Sequence, residues 1–486
     1  MKKWLLLLFV ATIVSACSAE ENRTKDELDE HAHHHDHEGT YYNNEQLQLN
    51  ENVGERPLTF PSILEPVYEE GNHVTYELTA QQGKMSFIDG IETSTYGYNG
   101  DFLGPIIRLK DGQQVTMKLT NSLPDATTFH WHGLEVAGDA SDGGPHAVIE
   151  PGMTETIEFT VNQQASTLWY HPHPMGYTAE QVYKGLAGLL YIDDAKSEQL
   201  QLPKQYGEND FPIILQDRTF VDGQMDYKQA ANSMSTLGDT IMINGTVNPY
   251  LTAPREKVRL RILNGSNALT YDLSLENEMP FELVATDGGF INQPVEMTSL
   301  SVGAGERVEI LVDLSKVNGN TISLMNNDST LLPIKIEGNA MNTSYNSVLN
   351  DISLTDELIN MKPTKHITME GMTEKFLLNG KTFDMDRIDF RQKKGVTEIW
   401  EIENILSDEG AMAHPFHIHG TQFFVVSVNG ETPDPSLQGY KDTITVQPTQ
   451  KVRIAVNFPE KGIYMFHCHI LEHEDVGMMG QIEVYE

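Results

Sequence analysis

Tyr464-Met465-Phe466-His467-Cys468-His469-Ile470-Leu471-Glu472-His473-Glu474-Asp475-Val476-Gly477-Met478 sets one thiol, three imidazoles and the thioether of Met478 at fixed spacing. Trigonal copper sites that carry single electrons use two His and one Cys, with a weak axial Met. Cys468, His473 and Met478 supply three of those donors on one loop, and His414 is available upstream. Strand parity makes the rest of the run readable, because side chains at i and i+2 share a face and the residue between them points away. In a strand ending near His469, His467 and His469 face one way and Cys468 the other. One strand then serves two metal sites, with the thiolate joined through the main chain to imidazoles of the second.

Three further His-x-His pairs occur, at His130-Trp131-His132-Gly133, at His171-Pro172-His173 and within His414-Pro415-Phe416-His417-Ile418-His419-Gly420. Each pair presents two imidazoles on one face. His414 has the opposite parity to His417 and His419 and can join Cys468. Eight imidazoles are thus available for a cluster, and His414 and His473 for the thiolate site. One such pair alone would read as a surface or core feature; four pairs with a cysteine inside one of them read as a metal constellation. The remaining His73, His146 and His366 read as ordinary hydrogen-bonding residues.

The constellation lies on an internal repeat. An alternation ending in Asn recurs at Val115/Met117/Leu119/Asn121, Val258/Leu260/Ile262/Asn264 and Glu398/Trp400/Ile402/Asn404. A second alternation recurs at Ile157/Phe159/Val161, Val308/Ile310/Val312 and Val452/Ile454/Val456. His motifs follow the first and third copies of each, and Pro172 takes the place of Cys468, so only the last copy can hold a thiolate site. No histidine occurs between His173 and His366. The middle copy is therefore expected to be a spacer that orients the outer two. These alternations, with 38 Gly and 22 Pro in 486 residues, point to an all-β chain with units at 56–200, 201–350 and 351–486.

The motifs His130-Trp131-His132-Gly133-Leu134-Glu135-Val136, Asp142-Gly143-Gly144-Pro145, His414 to Phe423 and His467 to Met479 resemble those of the multicopper oxidases. The resemblance spans roughly residues 60–486 and is nearest to bacterial copper efflux oxidases and spore-coat laccases. It implies three cupredoxin-like Greek-key β-sandwich domains and four copper ions. A type 1 copper would take His414, Cys468, His473 and axial Met478. A type 2 copper would take His130 and His417. One type 3 copper would take His132, His171 and His469, and the other His173, His419 and His467. Such enzymes take single electrons from a reductant at the type 1 site and reduce dioxygen to water at the trinuclear cluster. Glu474 and Asp142 match acidic positions that deliver protons in the copper efflux oxidases, although the loop before Asp142 is one residue longer than in the closest pattern.

Composition sets the wider frame. The formal charge of −37, from 70 acidic and 33 basic residues, argues against nucleic acid as a partner, since phosphate binding needs basic patches. It suits a soluble acidic surface and is compatible with steering of cations. Lys2 and Lys3 precede an apolar run from Trp4 to Val14, followed by Ser15-Ala16-Cys17, which reads as a secretory signal over residues 1–16. Its end resembles a lipobox, which implies a lipidated Cys17, a membrane anchor and a place in the bacterial cell envelope. Residues 17–55 read as an acidic, disordered tether. Within it, His31, His33, His34, His35 and His37 form a tract suited to accessory copper.

The reductant is less sharply written. Copper efflux oxidases carry a long Met-rich insert, and this chain has only Met361, Met369, Met372 and Met385 in the corresponding region. Thr382-Phe383-Asp384-Met385 resembles a fragment of a cuprous-ion site. Without the insert, the type 1 edge is more open to phenols, aromatic amines and other organic reductants, with Cu(I) as a further candidate. The chain is expected to act as a monomer. The competing classes are a copper-storage or copper-tolerance lipoprotein without turnover, a relative that has lost its copper, and a copper nitrite reductase. A complete ligand set argues against the second, and four His pairs on a three-unit chain argue against the third.

Overall fold

The computed structural model describes residues 56–486, except 139–140, 231–234, 342–344, 373–374, 408–409, 411 and the side chains of 229–230. Cys17, His31, His33, His34, His35 and His37 lie outside the described residues. The three copies of the first alternation form the strands Gln114–Ser122, Lys257–Asn264 and Glu398–Asn404. Each pairs in parallel with an upstream strand, respectively His73–Met85, Asp210–Arg218 and Lys365–Glu370. Each also pairs antiparallel with the strand that carries the second alternation, respectively Thr154–Thr160, Arg307–Asp313 and Lys451–Val456. The repeat written in the sequence is thus a repeat of topology. A parallel pair needs a crossover connection, so each unit is more than a meander of hairpins.

Each copy is a sandwich of two main sheets, five and four strands in the first, seven and six in the middle and six and five in the last. The inward half of every alternation fills the space between them: Val115, Met117 and Leu119 in the first core, Val258, Leu260 and Ile262 in the middle, Trp400 and Ile402 in the last. The short strand Arg56–Pro57 pairs with Pro249–Pro254, so the described chain begins on a middle sheet.

The asparagine that ends each alternation is fully buried. Asn121 donates to the carbonyls of Asp125 and Ile149, Asn264 to those of Leu269 and Val302, and Asn404 to those of Met412 and Val446. Each amide satisfies one carbonyl of the loop that leaves the strand and one of a segment further along the same copy. Buried polar groups require such partners, which is why the same residue type closes all three copies.

Two short helices tie the first copy to the last. Ala179 and Val182 of Thr178–Tyr183 pack on Leu471 of Leu471–Asp475. The Asp475 carboxylate accepts from the main-chain N–H of Thr178 at 3.0 Å and of Ala179 at 2.9 Å, using donors that a helix start leaves free. Among the described residues no helix is long and apolar enough to cross a membrane. Asn264→Ala should destabilise the chain by about 2 kcal/mol or more, because two buried carbonyls lose their donor. A chemical-denaturation midpoint unchanged from wild type would show that those carbonyls find other partners.

Candidate metal centre

The strand His414–Ile418 lies antiparallel to Gly462–Cys468, with Phe416 opposite Cys468 and His417 opposite His467. Parity then separates the donors as the sequence implies. Cys468 Sγ is 3.4 Å from His414 Nδ1 and 3.5 Å from His473 Nδ1. His414 is fixed from behind, its Nε2–H donating to the Gly371 carbonyl at 3.1 Å. Phe376 stacks on His473 with ring centroids 3.7 Å apart. Met478 is fully buried in the same core, and its main chain brackets the pocket: its N–H donates to the His473 carbonyl and its carbonyl accepts from the Cys468 N–H. Burial pushes the Cys468 thiol up and the His414 imidazole down to about 4. Neutral imidazole is the form that binds a metal, and a bound cation is what makes a buried thiolate tenable.

On the opposite face the eight other imidazoles converge, all buried. In the first copy, His130–His132 pairs with Ser166–His171, setting His130 opposite His171. Ligand atoms of His132, His171 and His469 lie within 4.8 Å of one another, as do those of His173, His419 and His467, and those of His130, His417 and His419. First and last copies interleave: His130 stacks on His419 and His132 on His417, each at 3.7 Å between centroids. The outward ring nitrogens are mostly held by oxygen acceptors. Nδ1–H of His130 donates to the Asp142 carbonyl, of His171 to that of Pro172, of His417 to that of Asp442 and of His467 to that of Cys468. His419 Nδ1–H donates to the Asp142 carboxylate at 2.7 Å.

The inward nitrogens have no such partners. Nε2 of His130, His132, His171, His417 and His469 is buried without a hydrogen-bond partner, and His467 Nε2 lies 3.2 Å from His173 Nε2 and 3.0 Å from His419 Nε2. Orphaned lone pairs facing one another in a sealed space are costly unless a cation sits among them. Burial, reinforced by neighbouring imidazoles, holds His132, His171, His173, His417 and His467 well below the usual histidine range. Neutral, unpaired and convergent nitrogens, with one thiolate pocket beside them, fit soft or borderline transition metals, copper among them.

The two acids flank the cluster. Glu474 is buried, with its carboxyl oxygens 3.3 Å from His173 Nε2 and from His467 Nδ1. Burial, with Asp475 adding to it, raises Glu474 well above the carboxylate range. Asp142 goes the other way: burial opposes ionisation, but His419 and His130 outweigh it and hold the carboxyl low. Asp384 and Met385 lie in a turn beside the loop of Met478, where Phe383 N–H donates to the Gly477 carbonyl, and Met385 is exposed. His73 and His146 bond Thr116 and Gln481, and His366 faces Glu401.

The middle copy is more than the spacer its lack of histidine suggested. Arg307 reaches from its strand Arg307–Asp313 to within 3.3 Å of His132 Nδ1 and forms a two-pronged ion pair with Asp442 at 2.7 and 2.6 Å. Gly305 lies against His469, and Asn267 donates to Glu472 beside His473. Counting ligand types misses such groups, because an arginine at the start of an alternating strand looks like any other surface cation. The signal in the chain is weak: Gly303-Ala304-Gly305-Glu306-Arg307 crowds two glycines against a buried charge.

Family profiles described as multicopper oxidase match residues 79–197, 209–336 and 358–486. The chain belongs to the multicopper oxidase family, and its three sandwiches are cupredoxin-like. It is a laccase-like copper oxidoreductase that couples oxidation of a reductant to reduction of O2. It is 48% identical to the multicopper oxidase mco of Staphylococcus haemolyticus over 444 residues, 91% of this chain and 96% of that protein. The crystal structure of a laccase from Pediococcus acidilactici superposes with a TM-score of 0.86 at 44% identity, covering 89% of this chain and 94% of that one. The cell division protein FtsP of Escherichia coli is 32% identical over 450 residues, 88% of this chain and 93% of that protein.

Gly305 has φ +82, and a Cβ there would sit 2.9 Å from the His469 ring. Gly305→Ala should therefore displace His469 and lower the copper bound per chain, read by elemental analysis, while the thiolate band persists. Full copper content in that variant would show that the ring can yield without losing its role.

Proposed function

We propose that the chain holds four copper ions, one with His414, Cys468, His473 and Met478 and three among the eight clustered imidazoles, and oxidises small organic reductants such as phenols and aromatic amines. The observation that carries this reading is the shared strand: Cys468 faces one donor set while its covalent neighbours His467 and His469 face another. Bound copper would supply one-electron uptake at the thiolate site and reduction of dioxygen to water at the cluster. The chain's own residues do the rest. Cys468 joins the two sites through a short run of main-chain bonds. Glu474, raised by burial, holds its proton more firmly than a free carboxyl group next to His173 and His467, where oxygen reduction consumes protons. Asp142 stays ionised and orients His419. The assignment puts His130 and His417 on the type 2 ion, His132, His171 and His469 on one type 3 ion, and His173, His419 and His467 on the other.

The organic reading draws support from exposed apolar side chains on nearby loops: Val476 beside the Met478 loop and Leu406 on the loop whose Gly410 packs on Met372. Cuprous ion is the second reductant, favoured by the exposed Met385 and neighbouring Asp384 next to that same loop. The proposal extends to the cell: Cys17 lipidated after signal removal, a monomer anchored in the bacterial cell envelope, and the tract from His31 to His37 buffering copper. The support for these is the motif Val14-Ser15-Ala16-Cys17 and the tract itself.

The test is copper per chain on protein with the tract removed, together with the visible spectrum and oxygen uptake with a phenol and with cuprous ion. Four coppers, an intense blue band and uptake are expected, and the ratio of the two uptake rates ranks the reductants. Copper without a blue band or uptake would leave a binding protein instead. Glu474→Gln should slow reoxidation by oxygen while anaerobic reduction of the blue band keeps its rate; equal loss of both steps would remove Glu474 from proton delivery. Met478→Leu should keep the blue band and raise its potential, and a bleached site would make Met478 a structural residue.

A further inference from the structure

We infer that Arg307 and Asp442 form a positioning pair through which the middle copy sets the tautomer of His132 and the seat of His417. The inference rests on the copper assignment above. A guanidinium has five N–H donors. Arg307 Nε donates to the Thr167 carbonyl at 3.1 Å, Nη1 to the Gly305 carbonyl at 3.0 Å and Asp442 Oδ1 at 2.7 Å, and Nη2 to the Asp287 carbonyl at 3.1 Å and Asp442 Oδ2 at 2.6 Å. All five are committed. The 3.3 Å approach of Nη1 to His132 Nδ1 therefore has no proton left to give.

His132 Nδ1 must then carry its own proton, and the nearest acceptor is Asp442 Oδ1 at 3.5 Å. That tautomer leaves the Nε2 lone pair facing the cluster, where it is buried and unpaired. The opposite tautomer would put a proton on Nε2 and block it as a ligand. Asp442 also acts through its main chain, since its carbonyl accepts from His417 Nδ1–H at 2.8 Å. One residue thus orients the two rings that stack on each other across the copies. Its carboxylate is held by Arg307, by Thr443 Oγ1 at 3.0 Å and by Gln422 Nε2 at 3.2 Å, so it cannot turn away.

Arg307 reads as the keystone of this arrangement. Its fork touches Thr167 of the first copy, Asp287 and Gly305 of its own, and Asp442 of the last. It is fully buried. A lysine would keep the charge but not the planar fork.

The experiment uses full-length protein: wild type, Asp442→Asn and Arg307→Lys, each loaded with copper and then titrated with a chelator. Copper per chain, the blue band and the electron paramagnetic resonance spectrum are recorded at each step. The expected result is a blue band of wild-type intensity in both variants, which reports an intact fold and thiolate site. Cluster copper should be lost at a chelator strength about 10- to 100-fold lower than in wild type, with altered hyperfine splitting of the type 2 signal. Wild-type copper retention together with an unchanged type 2 signal in both variants would overturn the proposal. Wild type that holds no cluster copper would overturn the underlying assignment, and the proposal with it. If Asp442→Asn loses the blue band as well, Arg307→Lys decides: retention equal to wild type counts against the pair, and weakened retention supports it.

Discussion

Everything in the centre depends on the register between the strands His414–Ile418 and Gly462–Cys468. With His417 opposite His467, one face of the pair carries imidazoles toward the first copy, and the other carries His414 and Cys468 into the last core. A slip of one residue would turn every ligand to the wrong face. The register is protected by what lies under it: Phe416, Ile418, Tyr464 and Phe466 are buried in the last core, and the same slip would carry them out of it. The chemistry is therefore specified by apolar packing, and the polar ligands ride on it.

The second constraint is electrostatic. Ten imidazoles are buried, and burial favours the neutral form of His132, His171, His173, His414, His417, His419, His467 and His469, so the interface avoids a concentration of positive charge. Several of the charges that remain inside are paired. Arg307 with Asp442, Lys441 with Asp287 and Glu306, and Arg261 with Asp210 line the contact between copies. Such pairs add specificity more surely than stability, since their desolvation costs much of what their attraction returns.

Much of this was legible in the sequence, and the reason is periodicity. Ligands on strands obey a period of two, so His467, Cys468 and His469 could be sorted to opposite faces without coordinates, and the repeat of Asn121, Asn264 and Asn404 marked three equivalent strands. What those asparagines do was not legible, because each closes a loop that the alternation does not describe. Arg307 left only the weak signal of its flanking glycines, and Asp442 none, for a related reason. They meet across 135 residues of chain, and neither sits in a motif. The reading of the middle copy as a spacer followed from looking for imidazole alone, while the structure gives it the positive charge at the centre of the contact.

His173 and His467 approach to 3.2 Å although 294 residues separate them along the chain. A growing polypeptide that has not yet reached His467 holds only part of the cluster's ligands. During synthesis the first sandwich can fold with its four histidines facing open solvent. Assembly of the centre is in that sense a checkpoint: the metal finds its full set of ligands only once the last sandwich has been made and has closed on the first, and a copy cut short before His467 stays without a finished site.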